Sequence, residues 1–196
     1  MKKISILCFC LFFLFITISP SHAVNIRKIK VTSSMLKASS IYNGYTPLKA
    51  FDGDFRKNSG WCAAGGIRKA WLIIDFKIEM EIDSLRLQPD RFNAKDKSSS
   101  YLTAFSVDIW KNNSWSPISN LISTPLETWF NVPIKKKTQK LRILCETTGN
   151  SPQVKEIEIF EVVPTINKPT VITPKTSRPE VKGQSINRNQ APRFTL

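Results

Sequence analysis

From about Val24 to Val163 the chain runs in short apolar alternations separated by polar turns, and nowhere there does it hold the three-to-four residue apolar spacing of a long helix. Phe105-Ser106-Val107-Asp108-Ile109 alternates cleanly. Lys111-Asn112-Asn113-Ser114 then forms a turn signal before Trp115, which reads as a hairpin. Leu141-Arg142-Ile143 and Ile157-Glu158-Ile159 alternate apolar with charged residues, as strands with one wet face do. Ala70 to Phe76 is more continuously apolar and belongs at the centre of a sheet. With one short helix expected, around Pro47 to Phe51, and no crossover-helix pattern, the fold class is all-β, a sandwich of short strands.

The two ends differ from this middle. Residues 1–23 hold Lys2 and Lys3, an apolar run from Ile4 to Ile18 and the small-residue ending Ser21-His22-Ala23, the pattern of a secretory signal peptide. The run is too short for a membrane span, and no second hydrophobic segment follows, so no transmembrane segment is expected in the mature chain. The expected location is secreted, periplasmic or cell surface. Residues 164–196 are punctuated by Pro164, Pro169, Pro174, Pro179 and Pro192 among Thr, Lys, Asn and Arg, a composition that cannot bury enough apolar surface to order itself. The expected domain is therefore residues 24–163, followed by a disordered, basic tail.

Removal of a signal peptide would take away the sole histidine, His22. The mature chain then has no Ser-His-Asp or Cys-His nucleophile system and no histidine-ligated zinc. Cys8 and Cys10 leave with it, so Cys62 and Cys145 remain, either as one disulfide of an exported protein or as two buried free thiols. The net charge of +14 falls to +12 without Lys2 and Lys3, and the tail carries +5 of that. Such a surface draws anionic partners in general, whether lipopolysaccharide, phospholipid, acidic glycans or nucleic acid, and does not select among them. The tail reads as a solvated linker, and no nucleic-acid partner is expected.

One segment concentrates oxygen donors. Tyr45 to Phe76 places Asp52 and Asp54 around Gly53, ahead of Trp61 and the apolar strand. Carboxylates flanking a glycine suit a tight loop that turns several oxygens toward a hard cation such as calcium. The alternative is that both aspartates cap the turn through backbone N–H groups without a metal. Asp75, Asp83, Asp90 and Asp108 are scattered along strands and show no paired spacing of the glycosidase kind.

Seven pieces in order resemble a known family: Ala38–Asp54 (ASSIYNGYTPLKAFDGD), Ser59-Gly60-Trp61, Ala70–Phe76 (AWLIIDF), Ile82–Leu87 (IDSLRL), Phe105–Trp115 (FSVDIWKNNSW), Lys140–Leu144 (KLRIL) and Lys155–Phe160 (KEIEIF). Together they are similar to the discoidin, or coagulation factor five/eight type C, domain, also called the galactose-binding-like fold and found as a carbohydrate-binding module. The resemblance implies a β-sandwich or jelly roll with a structural calcium ion. Carried over by position, its ligands would be the Lys49 carbonyl, the Asp52 carboxylate, the Asp54 carbonyl, Ser59 in place of the usual threonine, the Lys155 carbonyl and Glu156. Six oxygens, two of them from carboxylates, suit calcium.

Relatives that bind sugars use loops at one end of the sandwich, where an aromatic ring stacks on a pyranose and polar side chains meet its hydroxyls. The matching rings here are Tyr42, Tyr45 and Phe92, and the polar partners are Asn43, Arg68, Arg91, Asn93 and Asn150. Trp61, Trp71 and Trp115 are assigned to the core. The expected function is a secreted, non-catalytic module that binds cell-surface or matrix glycans. Two alternatives stand beside it: an anionic-lipid or lipopolysaccharide site built from Phe92 with Arg91, Lys95 and Lys97, and a protein-binding adhesin.

Overall fold

In the computed structural model, residues 24–56, 59–91, 94 and 96–164 are described; the signal-peptide and tail expectations and the Phe92, Asn93 and Lys95 assignments lie outside them. Nine strands appear: β1 (Asn25–Lys28), β2 (Leu36–Ala38), β3 (Trp61–Cys62), β4 (Lys69–Pro89), β5 (Ala104–Lys111), β6 (Ser114–Pro117), β7 (Ile122–Ser123), β8 (Phe130–Glu146) and β9 (Gln153–Val163). Two single 3-10 turns, Ser33–Met35 and Pro47–Ala50, are the only helical elements among the described residues. The second is the short helix expected near Pro47, with proline at its start, where a missing N–H costs nothing.

The strands follow the order β1-β9-β4-β8-β5-β6, with β2 on β4, β3 on β9 and β7 on β5. All pairings are antiparallel. At the middle, β4 and β8 pair from Lys69↔Glu146 to Leu87↔Phe130, and this ladder breaks register twice. Between Asp75 and Met80 the β4 strand carries extra residues, with Lys77 at φ 69°. Between Ile82 and Ser84 the surplus falls on β8, with Lys135 at φ 48°.

The bulges decide which side chains face inward. Before them, Ala70, Leu72, Ile74 and Phe76 are buried; between them Ile82 is buried, and beyond them Leu85 and Leu87 are. A two-residue alternation cannot pass from Ile82 to Leu85 unless a bulge resets it. Residues from both halves of β4 and β8 fall in one core cluster with Trp61, Phe105, Val107, Val154, Ile157 and Ile159. The long ladder therefore folds over at Asp75–Met80 and encloses its own apolar face, as a sandwich requires.

This folding gives the molecule two ends. One holds the bend and the Lys111–Ser114 hairpin turn, where Asn112 and Asn113 both take positive φ, as a two-residue turn between twisted strands demands. The other gathers the connections around Tyr42–Tyr45, Ala63–Arg68, Ser99–Tyr101 and Thr147–Ser151.

The tryptophan assignment holds only in part. Trp61 is fully buried, but Trp71 and Trp115 are half-buried and lie outside the core cluster. Trp71 sits between the inward residues Ala70 and Leu72, so strand parity turns it outward. Trp115 packs on the outside, with its ring centroid 5.1 Å from that of Trp110 and the Arg142 guanidinium over it at 4.5 Å.

Cys62 and Cys145 are both buried free thiols, which is the second of the two states the sequence allowed. Cys62 lies on β3, its sulfur near the Ala63 carbonyl (3.3 Å) and the Ser151 hydroxyl (3.5 Å), whereas Cys145 points from β8 into the apolar core. Burial pushes both thiols above their ordinary pKa.

Gly60 tests this packing. A Cβ there would lie 2.1 Å from the Val154 carbonyl oxygen, and its φ is 93°; at Gly66, φ 79°, a Cβ meets nothing within 4 Å. Gly66→Ala is expected to cost about 1–2 kcal/mol from left-handed backbone alone, and Gly60→Ala to cost clearly more because β9 must move. Equal losses in denaturant unfolding would contradict the close approach of the Gly60 loop to β9.

Candidate functional site

The acidic loop begins directly after the 3-10 turn at Pro47–Ala50. Asp54 N–H donates to the Asp52 carboxylate (2.9 Å), and Arg56 N–H donates to the Asp54 carboxylate (3.0 Å), so each aspartate caps the backbone two residues on. The Asp54 side chain is engaged by the Arg56 guanidinium at 2.6–3.0 Å, which holds its carboxyl down at about 2. Its carbonyl oxygen accepts from the Ser59 hydroxyl at 2.5 Å. Glu156, near the start of β9, reaches the same loop, where both its oxygens accept the Gly53 N–H at 3.2 Å.

Five of the expected ligand positions thus meet in one place: Asp52, Asp54, Ser59, Lys155 and Glu156. Lys155 joins through its backbone, which lies within 3.0 Å of a Cβ position at Gly60. Its ammonium pairs with Glu127. Lys49 lies one turn away, with its ammonium 5.6 Å from the Tyr45 ring centre. The capping bonds, the second of the arrangements the sequence allowed, are present in the loop.

Among the described residues, no three Asp, Glu, Cys or His side chains cluster as a metal set, so a cation here would depend on carbonyl oxygens beside Asp52 and Glu156. Donor chemistry fits a hard cation. Glu156 is fully buried, and its pKa is pushed up to about 7, chiefly by desolvation, with Asp52 and Glu158 adding to the rise against Gly53 and Lys28. A buried carboxylate in this state gains when a cation replaces the missing water.

The linked pH dependence has a definite sign. The folded-state pKa of Glu156 lies above its ordinary value, so its protonated form is favoured by folding and its contribution is complete below about pH 4.5. That contribution is lost as pH rises toward and past 7. In chelator-treated protein, the melting temperature measured from pH 5 to pH 7.5 is expected to show a downward component that Glu156→Gln removes. An identical pH profile in the two proteins would contradict the burial of an ionisable Glu156.

The loop end gathers most of the described ring and amide candidates. The Tyr42 and Tyr45 rings lie 5.8 Å apart, and backbone bonds link Tyr42 N–H to the Cys62 carbonyl (2.8 Å) and Cys62 N–H to that of Tyr45 (3.4 Å). Tyr42 is 51% exposed. Asn150 accepts Gly66 N–H at 2.9 Å through its side chain and donates its own N–H to the Ser99 carbonyl at 3.0 Å, tying three loops together. Arg68 projects into solvent while its carbonyl accepts Thr147 N–H at 3.0 Å, and Asn43 is exposed.

Arg91 is placed differently. Its guanidinium donates to the Leu102 carbonyl at 2.9 Å and covers the Tyr101 ring at 5.5 Å, so it braces the loop instead of projecting from it. Sequence reasoning missed a mainly apolar cleft of about 530 Å³ beside the same region, lined by Ile41, Thr46, Pro47, Leu48 and the outward Trp71. Strand parity at Trp71 was the available signal.

Comparison with known proteins identifies the fold. A family model described as the F5/8 type C domain matches residues 29–158. No curated protein matched the chain by sequence. Among solved structures, the chain is similar to chitosan-binding module 1 of a chitosanase/glucanase from Paenibacillus sp. IK-5, at 16% identity and TM-score 0.51, covering 63% of this chain and 92% of that one. It is similar to the family 32 carbohydrate-binding module of C. perfringens NanJ in complex with galactose, at 13% identity and TM-score 0.52, over 64% and 92% of the two chains. It is also similar to the corresponding module of AlyQ in complex with 4,5-unsaturated mannuronic acid, at 14% identity and TM-score 0.51, over 68% and 97%. At these identities the likeness establishes the fold, that of carbohydrate-binding modules of the galactose-binding-like type.

Proposed function

The chain belongs to the F5/8 type C domain family, and from that premise we propose that it is a secreted, non-catalytic module that binds a glycan at its loop end. The observation that carries this reading is that a half-exposed Tyr42, an exposed Arg68 and an Asn150 that ties the Gly66 and Ser99 loops together lie at the loop end. A sugar's C–H face stacks on such a ring, and charged or amide groups meet its hydroxyls. Structural relatives in complex with galactose and with an unsaturated mannuronic acid support a sugar as ligand.

The state of the acids favours binding over catalysis. Asp75 pairs with Lys77, Asp83 with Lys135 and Asp108 with Arg142, while the Asp90 carboxylate accepts from Gln153 at 3.1 Å. Carboxylates held in ion pairs or hydrogen bonds of this kind are poor general acids or bases. The lipid alternative loses one member of its basic tip, since Arg91 is turned inward. No helix among the described residues is long and apolar enough to cross a membrane.

Calcium belongs to the proposal as a structural ion. Asp52 and Glu156 would supply its carboxylates, with Ser59 and the carbonyls of Lys49, Asp54 and Lys155 around them. Such an ion would fasten the acidic loop to β9 and neutralise Glu156. Chelator added to calcium-loaded protein at pH 7.5 is expected to lower the melting temperature by several degrees; an unchanged melt would contradict the assignment.

The binding site is tested on a glycan array followed by titration calorimetry at two salt concentrations. Tyr42→Ala and Arg68→Ala are each expected to weaken binding of a glycan hit about tenfold or more, with melting within a few degrees of wild type. Full affinity in both variants would move the site elsewhere. Because stacking and hydroxyl contacts carry a neutral ligand, its affinity is expected to survive added salt.

A further inference from the structure

The bend end, remote from the loops, has its own cleft. It measures about 450 Å³ and is lined by Trp110, Lys111, Asn112, Asn113, Lys136 and Lys137, with Glu79 as its acidic member. Eight residues of β5 separate it from the loop end, roughly 23 Å at strand rise. It therefore cannot be part of the site proposed above.

Its chemistry is unusually one-sided. Lys111, Lys136 and Lys137 are exposed, and none forms an ion pair among the described residues, whereas Lys77 and Lys135 nearby are paired with Asp75 and Asp83. Three unpaired ammonium groups against the single lining carboxylate of Glu79 leave this concave surface with a net positive field that attracts anions.

The cleft also has a fixed aromatic wall. The Trp110 ring stands edge-on to Trp115 (70° between planes), and the Lys140 ammonium lies 5.2 Å from its centre. Its backbone is held by Thr138, whose buried hydroxyl accepts the Trp110 N–H at 3.2 Å and lies 2.9 Å from the Trp110 carbonyl. Asn112 and Asn113 sit at the tip of the tight turn, where their positive φ values fix the backbone that carries two amide groups.

A half-buried ring, two amides and three free ammonium groups form a set that matches a sugar bearing acidic substituents. The ring takes the pyranose face, the amides take hydroxyls, and the lysines take carboxylate or sulfate. A flat anionic membrane fits less well. Among the described residues Ile78 is the only large apolar side chain exposed at this bend, and Glu79 and Glu81 follow it on the same strand. We propose that the bend end is a second binding site, for an acidic polysaccharide seated on Trp110 and held by Lys111, Lys136 and Lys137.

The test uses the full mature chain, with Lys136→Gln/Lys137→Gln compared against Arg27→Gln/Lys30→Gln, which removes the same charge at the β1 edge. Affinities are measured for heparin as the sulfated probe, polygalacturonate as the carboxylate probe, dextran as the neutral one, and vesicles of phosphatidylglycerol and phosphatidylcholine. All substituted residues are exposed, and melting checks that each variant folds.

The expected result is at least a tenfold loss of heparin or polygalacturonate affinity in the bend variant and less than twofold in the control, with dextran unbound. Asn112→Ala/Asn113→Gly is expected to weaken the same ligands with no change of charge. Equal losses in the bend and control variants would reduce the effect to net charge and overturn the proposal. Binding to vesicles but to neither polysaccharide would overturn it in favour of a lipid surface. Glycan binding lost on Tyr42→Ala reports only on the loop end, so the two sites fail independently.

Discussion

The structure depends on the antiparallel ladder between β4 and β8. These are the two longest strands, they occupy the middle of the strand order, and every other strand attaches directly or through a neighbour to one of them. If the ladder ran straight, one apolar face would stay in water. The bulges at Asp75–Met80 and Ile82–Ser84 prevent this by changing strand direction and resetting the inward alternation together. Position follows: β5, β6 and β7 hang on one half, β9 and β1 on the other, and the connections collect at the end away from the bend.

Charge is distributed around this frame in a way that separates scaffold from binding surface. On the outer faces, Arg142 pairs with Asp108 and covers Trp115, while Arg86 pairs with Glu158 and covers Trp129 at 4.5 Å. Partly buried arginine pairs of this kind fix side chains across strands and leave little free charge. Glu156 differs. It is wholly buried beneath the acidic loop, carries no ammonium or guanidinium partner among the described residues, and has the carboxyl most strongly driven toward its neutral form. That energetic tension is the physical reason to place a cation beside it.

Much of this was legible in the sequence because strand alternation is a direct projection of geometry. Phe105–Ile109, Leu141–Ile143 and Ile157–Ile159 all lie in strands, and Asn112-Asn113 makes the expected turn. The acidic loop and its distant partner Glu156 were legible through family resemblance, since no local pattern links residues a hundred positions apart. What failed had local causes. The family pattern puts Trp71 and Trp115 in the core, although their parity places them on the wet face. Arg91 was assigned by loop position, although a neighbouring carbonyl and the Tyr101 ring capture it. The fold of β4 onto itself was invisible because bulges leave no strong mark in composition.

The central claim is that the loop end, and not a strand face or the bend, carries the neutral-glycan site. Amide chemical-shift mapping of the isotope-labelled mature protein, titrated with the strongest neutral hit from a glycan array in the presence of calcium, tests it most directly. The account predicts perturbations confined to Tyr42–Tyr45, Gly65–Arg68 and Thr148–Asn150, with Lys111–Asn113 and Lys136–Lys137 unmoved. Shifts centred on the bend or on the outer strand faces, with the loop end silent, would contradict it.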